Sequence, residues 1–577
     1  MAILFACSKD KITVIPGQKP VTEDPEEPQE PEEPEDHTVI KLTGTVIGTT
    51  QSVDYGTGQA STTVNTRDNV FDGDFNTYFA TYDRSRTWVG LDLDKKHVIT
   101  RVGYSPRISQ EGRVELAIIE GANNADFSDA IPIAMIKEKG KSGEMNYVDV
   151  VCSRAFRYVR YVGPNDARCN LSELEFWGWK GKGDDSQFCQ LTNLPTVVVN
   201  TKNHAEITSK RIYITSNVYI ISDEGRKILE TTETEIRGRG NASWNFPKKP
   251  YKIKFADKHQ VLGSPSEDRR WTLINNYGDK TLMRNILAFE VSRRVGMAYT
   301  PFCTPVDLVL NGEYQGCYQL CDQVEVGVER VPAKEGYLIE IDAYASGEAV
   351  WFETGRNIPV TVKYPDDDKI TQDQLNFIKS FFANTEAAVF SSNYKDKTNG
   401  YRKYLDLDSF LKNFIVGEFC GNTDTYWSVN MYKDGAQGKF YTGPVWDYDL
   451  AFENDNRTYP INNINGWIYA TKGSVADDDV RTWVTRIVKN DSDAHARLVE
   501  IWNSVKPGLS NLNFYVDQTY DLLNESQELN FKRWPILNQY VHQNPKTYGS
   551  YEGEVNNVKN YITGRLTKFD ELIQQNK

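Results

Sequence analysis

Between Gly421 and Asn454 the chain reads GNTDTYWSVNMYKDGAQGKFYTGPVWDYDLAFEN, which sets Asp424, Asn430, Asp447 and Asp449 among Trp427, Trp446 and Phe452. Carboxylates beside side chains that prefer burial need a cation, a hydrogen-bond donor or a proton. A cluster of opposite sign lies upstream, in TEIRGRGNASWNFPKKPYKIKFADK. There Arg237, Gly238, Arg239, Gly240 and Asn241 form a short glycine-bearing basic loop. The stretch 247–255 then reads as a strand with Lys252 and Lys254 on one face and Tyr251, Ile253 and Phe255 on the other. Amides of a glycine turn with convergent cations suit polyphosphate; a solvated basic strand is the competing reading.

The elements that must position these residues can be read from pattern. WTLINNYGDKTLMRNILAFEVSRRVGM gives a strand through Trp271 and Leu273, then a helix from about Thr281 with Asp279 near its start. TPVDLVLNGEYQGCYQLCDQVEV predicts a hairpin turning at Asn311 and Gly312, and EGYLIEIDAY adds a strand. From Tyr401 the pattern is helical and runs directly into the acidic stretch. Upstream, residues 38–180 are short alternating runs separated by Gly, Asn and Asp, the signature of an antiparallel β-sandwich.

A length of 577 residues suggests about three domains. Of the formal net charge of −14, nine negative charges fall within TEDPEEPQEPEEPED, from Thr22 to Asp36, so the remainder is only mildly acidic and nucleic acid is not an expected partner. That Pro/Glu stretch is extended and self-repelling, as a tether is. Before it, MAILFACSKD resembles the lipobox at which bacterial lipoprotein signal peptides are cut, although its apolar run is shorter than the ~7–15 residues of a signal core. Cys7 would carry the lipid and be the sole membrane attachment, placing the protein in the bacterial cell envelope. The other seven cysteines contain no C-x-x-C pair, which argues against zinc.

Two resemblances organise these signals. NVFDGDFNTYFAT, WVGLDLDKKHVITRVGY and YVRYVG followed by CNLSELEFWG resemble the discoidin or coagulation-factor type C family, which implies a jelly-roll whose end loops bind glycans or lipid head groups. Asp72, Asp74 and Asn76 have the oxygen-donor spacing of a calcium site, and equally of a capped turn. RGRGNASWNFPKKPYKIKF, WTLINNYGDKTLMRNILAFEVS, VDLVLNGEYQGCYQL, NTDTYWSVNMYKD and GPVWDYDLAFEN together resemble the CotH family of atypical protein kinases. The expected architecture is multidomain: a tether over 1–37, an all-β jelly-roll sandwich over 38–180, and an α+β two-lobed kinase-like domain over 190–577. Its β-rich lobe would span about 190–365 and its helical lobe about 366–577.

The CotH resemblance implies ATP-dependent phosphorylation of a Ser or Thr hydroxyl on a surface or secreted protein. Asp424 would orient the acceptor, Arg239, Asn241, Lys252 and Lys254 would hold the nucleotide, and Asn430, Asp447 and Asp449 would hold magnesium or manganese. The family pattern departs at Asp322, where a glutamate is expected to support the nucleotide lysine. Two other readings stay open: a glycan-binding surface scaffold with an inactive kinase-like domain, and a carbohydrate kinase.

Overall fold

The computed structural model describes residues 36–457, 464–471 and 475–575. The lipobox, Cys7 and nearly all of the acidic tether lie outside the described residues. Among those described, no helix is long and apolar enough to cross a membrane.

The first domain is antiparallel throughout. Its spine is the nineteen-residue strand Trp88–Pro106. The first half of this strand pairs with Thr45–Gly48 and Ala155–Val162, the second half with Leu171–Lys180 and Asn146–Asp149. The register breaks between Asp92 and His97, where Asp94 adopts a left-handed backbone (φ +63°). This irregularity lets one strand serve both layers, curling the sheet into a jelly-roll around Val89, Leu91, Ile99, Val102, Phe156, Val159 and Phe176.

Next comes a closed seven-stranded barrel. In ladder order its strands are Thr196–Thr201, Ile214–Ile221, Lys227–Gly238, Tyr251–His259, Asp268–Ile274, Glu313–Asp322 and Cys303–Leu310, and the last closes in parallel on the first. Alternation fills the interior with Val197, Val199, Ile220, Ile253, Trp271, Leu273, Leu308 and Leu320. The intervening residues Val198, Tyr219, Ile221 and Val309 face outward yet are also buried, because the jelly-roll packs on them in one shared core. Two covered faces explain the unbroken apolar run TVVV. Asn200 Nδ2 donates to Ala130 O (2.7 Å) and Asn217 Nδ2 to Ser128 O (2.8 Å), sealing the junction. The hairpin turns at Asn311 and Gly312, both at positive φ (+53° and +81°), as a two-residue primed turn requires.

A second sheet, in ladder order Trp351–Glu353, Pro359–Tyr364, Tyr337–Asp342, Ser428–Lys433 and Tyr441–Thr442, packs in one core with the helices. A lobe boundary at about 365 would cut this sheet, whose strands come from both sides of it. The break in sheet structure falls between Asp322 and Tyr337, because Tyr337–Asp342 pairs with Pro359–Tyr364 and Ser428–Lys433 rather than with the barrel.

Candidate active site

The acidic stretch is held from behind by two helices. Arg284–Val295 begins about three residues later than its sequence suggests because Asp279 organises the approach. Asp279 accepts from Thr281 N (2.9 Å) and Arg284 N (2.8 Å), and its carboxylate also meets the Arg284 guanidinium at 2.5 Å. From the first turn of that helix Arg284 Nε donates to Ala451 O (3.0 Å), and Asn285 Oδ1 accepts from Tyr448 N (2.7 Å). These two bonds grip the segment bearing Asp447 and Asp449 on either side of Asp449. The second helix, Leu407–Cys420, stops at Gly421 in a left-handed cap (φ +67°), and Phe452 N donates to Cys420 O (2.7 Å). The chain then enters the short helical turn Thr423–Tyr426, which presents Asp424.

Asp447 sits in a left-handed backbone (φ +64°) and is exposed to solvent, with protein groups crowded around its carboxylate. Burial raises its carboxyl above the usual range; the charges of Asp424 and Glu340 add to this and the Arg239 guanidinium opposes it. Burial also raises Asp449, well above the usual range, with Asp447, Asp279 and Asp424 reinforcing the effect. Neither carboxylate receives a hydrogen bond from any described residue. Two donor-free carboxylates with a third nearby are the oxygen set a hard divalent cation needs, and magnesium completes its shell with water and phosphate oxygens. The residues present fit such an ion without forming a cage: among the described residues no three His, Cys, Asp or Glu side chains converge to hold one.

Asp424 is fixed by Arg457, whose Nη2 donates to Asp424 Oδ1 (2.9 Å) and to Thr423 Oγ1 (3.0 Å) while its Nε reaches both Asp455 oxygens (3.0 and 2.9 Å). Asn430 is drawn into a different network. Its Oδ1 accepts from Lys363 Nζ (3.3 Å), its Nδ2 donates to Pro444 O (3.1 Å), and it stands opposite Glu340 in the ladder. Glu340 accepts from Lys363 Nζ (2.6 Å) and Ser428 Oγ (2.8 Å). Burial would raise its carboxyl, but the Lys363 ammonium and these hydrogen bonds hold it below the ordinary value.

On the opposing side, alternation places Lys252 and Lys254 outside the barrel and Tyr251, Ile253 and Phe255 within. Lys252 pairs with Arg237 in register. Burial lowers its ammonium pKa; Glu325 pulls it up, while Arg237, Arg270 and Arg239 push it further down. Arg239 lies over the Trp446 ring (5.5 Å) and is the cation acting on Asp447. Lys254 and Asn241 make their contacts elsewhere. Lys254 Nζ meets Glu235 Oε2 at 2.7 Å on the open surface, and exposed Asn241 accepts from Lys210 Nζ (3.4 Å).

The acid facing Lys252 is Glu325. Asp322 is paired in register with Trp271, on the barrel-interior side of its strand. There its carboxylate accepts from Ser266 Oγ (2.7 Å), Tyr299 OH (3.0 Å), Phe302 N (3.0 Å) and Arg330 Nη2 (3.2 Å). Glu325 receives Arg270 Nε (2.5 Å) and the Arg330 guanidinium. Sequence reading missed Glu325, Glu340, Lys363 and Arg457. The available signal for Glu340 and Lys363 was a charge inside each of two apolar runs, YLIEID and PVTVKY.

In the jelly-roll, Asp74 and Asn76 are spent on a local turn. Asp74 N donates to Asp72 Oδ1 (2.8 Å), and Asn76 N and Nδ2 both donate to Asp74 Oδ1 (2.9 and 2.8 Å). Asp72 belongs to the same turn, its Oδ2 accepting from Thr77 Oγ1 (2.8 Å), and it also lies against buried Glu173, whose carboxyl is pushed up to about 7 by burial and by Asp72, and whose Oε1 has no partner. Elsewhere on the domain Arg107 stacks over Tyr78 (3.8 Å) and Tyr55 (4.7 Å), leaving Tyr55 and nearby Tyr82 exposed.

Comparison with solved structures finds similarity in the N-terminal quarter. A CBM62 from Clostridium thermocellum Xyl5A is 39% identical, over 24% of this chain and 98% of that one, with a TM-score of 0.23. The CBM32 of AlyQ, in complex with 4,5-unsaturated mannuronic acid, is 15% identical over 24% and 97% of the two chains (TM-score 0.19). A fucolectin from striped bass (Morone saxatilis) serum is 22% identical over 24% and 49% (TM-score 0.20). No curated protein matches the chain. The family model described as CotH kinase protein matches residues 236–568, more than half of the chain and the whole of the cleft just described. The protein belongs to the CotH kinase family.

Proposed function

We propose that the chain is an ATP-dependent kinase acting outside the cytoplasm, carried in the cell envelope by a lipid on Cys7 and brought to its substrate by a glycan-binding jelly-roll. One observation carries the catalytic reading: donor-free Asp447 lies beside Asp449 and within reach of the Arg239 guanidinium, whose charge also acts on Lys252. Opposed acids and cations of this kind are what a nucleotide triphosphate and its divalent ion require. Lys252 and Arg239 bind the phosphates, with Glu325 orienting the lysine. Asp447 and Asp449 would hold magnesium or manganese, which when bound neutralises phosphate charge. Asn430 and Lys363 support that edge, Lys254 and Asn241 contribute at the mouth, and Asp424 orients the acceptor hydroxyl.

The family favours a Ser or Thr acceptor on a surface protein. A sugar hydroxyl is the second reading, supported by the Arg107, Tyr55 and Tyr78 surface on a jelly-roll docked to the barrel. Calcium is proposed for the jelly-roll between Asp72 and Glu173, where the orphaned Glu173 oxygen supports it.

The kinase reading is tested by release of ADP from ATP with manganese or magnesium, which chelation should abolish. A protein that binds no nucleotide and releases no ADP would be a glycan-binding scaffold instead. Anchoring is tested by fractionation: Cys7→Ala, expressed with its native leader, should leave the membrane fraction, and retention there would place the anchor elsewhere.

A further inference from the structure

Three ring side chains from separate segments form one wall near the carboxylates. Phe246 closes the turn after the basic loop, Tyr277 follows the strand Asp268–Ile274, and His542 lies between the helices Leu512–Arg533 and Tyr551–Gln575. The Phe246 centroid is 5.5 Å from Tyr277 and 5.4 Å from His542, and Trp534 meets Tyr277 edge-on at 5.9 Å. His542 is exposed, and Phe246 and Tyr277 are half-buried. The wall reaches the acids: a Cβ placed on Gly278 would stand 3.9 Å from both Asp449 Oδ2 and His542 Cβ. The charges of Arg457, Asp455 and Asp424 also act on the His542 imidazole.

The wall is held rigidly. His542 adopts a left-handed backbone (φ +52°). Two residues on, buried Asn544 donates to Gly278 O (2.9 Å) and to Asn454 Oδ1 (2.8 Å), and Asn454 donates to the same carbonyl (3.0 Å). These bonds lock three chain segments together, and strained backbone held by over-determined contacts clusters at ligand sites.

We propose that this ring wall is the acceptor subsite and that it takes the pyranose ring of a glycan, a reading that rests on the phosphotransfer assignment above. A pyranose offers a face of C–H bonds to flat rings and a rim of hydroxyls to polar groups. Here the rings are bordered by Asp424, Asp449 and Arg457, which accept from and donate to such hydroxyls. An extended peptide would instead draw main-chain hydrogen bonds from an unpaired strand edge, and this wall is built from turns and loops. In the transfer, the acceptor oxygen bonds to the γ-phosphorus as the bond from that phosphorus to the β,γ-bridging oxygen breaks. ADP leaves, and the hydroxyl proton passes to Asp424 and then to water.

The test incubates the full-length protein with ATP and manganese and offers methyl glucoside, galactoside and mannoside beside a Ser-containing peptide, with products identified by mass spectrometry. A phosphorylated glycoside is expected. Phe246→Ala and Tyr277→Ala should raise the glycoside KM about tenfold relative to the KM for ATP, the scale of a lost ring contact, and Tyr277→Phe should restore it. Phosphorylated peptide without phosphorylated glycoside would overturn the acceptor assignment and leave the kinase standing. So would KM values for glycoside and ATP that rise equally in the variants. Failure of the wild type to bind manganese-ATP in calorimetry would remove the kinase reading and this proposal with it.

Discussion

Lys252 shows how one residue's surroundings set its chemistry. An ordinary lysine keeps its proton to about pH 10.4. Burial, together with the guanidiniums of Arg237, Arg270 and Arg239, moves Lys252 below that value despite the pull of Glu325. A lowered ammonium pKa means the proton is lost earlier as pH rises, so nucleotide affinity should begin to fall at a pH below that of an ordinary lysine. Lys252→Arg keeps its charge throughout and should flatten the profile, at some cost in turnover because a planar guanidinium does not reproduce a point charge. Nucleotide titrations across pH check this: an identical alkaline fall in wild type and Lys252→Arg would show that another group is titrating. Glu325 was not legible as the partner of Lys252, since it follows the strand end at Asp322 and only the fold brings it back. That Asp424, Asp447 and Asp449 come close enough to act on one another was legible, because acids embedded in one aromatic stretch signal charges needing compensation.

At the scale of elements, Lys248 ties the barrel to the C-terminal helices. It is buried on the Tyr318 ring (4.6 Å), and its Nζ donates to Cys317 O and to Asn530 Oδ1 (2.8 Å) on the helix Leu512–Arg533. Burial brings its pKa down to about 7. Because the folded value is depressed, the folded state carries a penalty that is complete below about pH 7 and is relieved as pH rises toward the unfolded value near 10.4. Lys248 should therefore add up to ~1.4 kcal/mol of stability per pH unit across that window. Denaturant midpoints of wild type and Lys248→Met should differ in slope there, and parallel curves would contradict the assignment. The strands and hairpin were legible from alternation and from the Asn311–Gly312 turn. The lobe division was not, because strand order is set by long-range pairing. Nothing local in YLIEID announces that its neighbour is Ser428–Lys433, some ninety residues on.

For the whole molecule, the shared core between jelly-roll and barrel predicts coupled unfolding. Val198, Tyr219, Ile221, Val309 and Tyr314 are buried in one cluster with the jelly-roll core. Placing a charge at Val198 should lower the melting of both domains together, by the ~3 kcal/mol or more expected of an unpaired buried charge. Differential scanning calorimetry that kept the jelly-roll transition unchanged would show two independently stable bodies. If the jelly-roll binds glycan as proposed, its docking would give that glycan a set direction relative to the carboxylates, which a flexible linker would not. The domain order was readable from blocks of pattern; the docking was hidden in the TVVV run, whose second buried face is explained only by a neighbour.

The central claim is that Asp447 helps hold the divalent ion on the ATP phosphates while Asp424 orients the acceptor, and calorimetric titration of nucleotide with and without manganese tests it most directly. Asp447→Ala should lose the manganese-dependent part of ATP binding, since the phosphate charge beside Arg239 and Lys252 would no longer be balanced. Asp424→Asn should bind manganese-ATP nearly as wild type does, while its turnover falls by the ~10²–10⁴-fold typical of a lost general acid or base. Wild-type affinity for manganese-ATP in Asp447→Ala would contradict the account and transfer the metal role to Asp449.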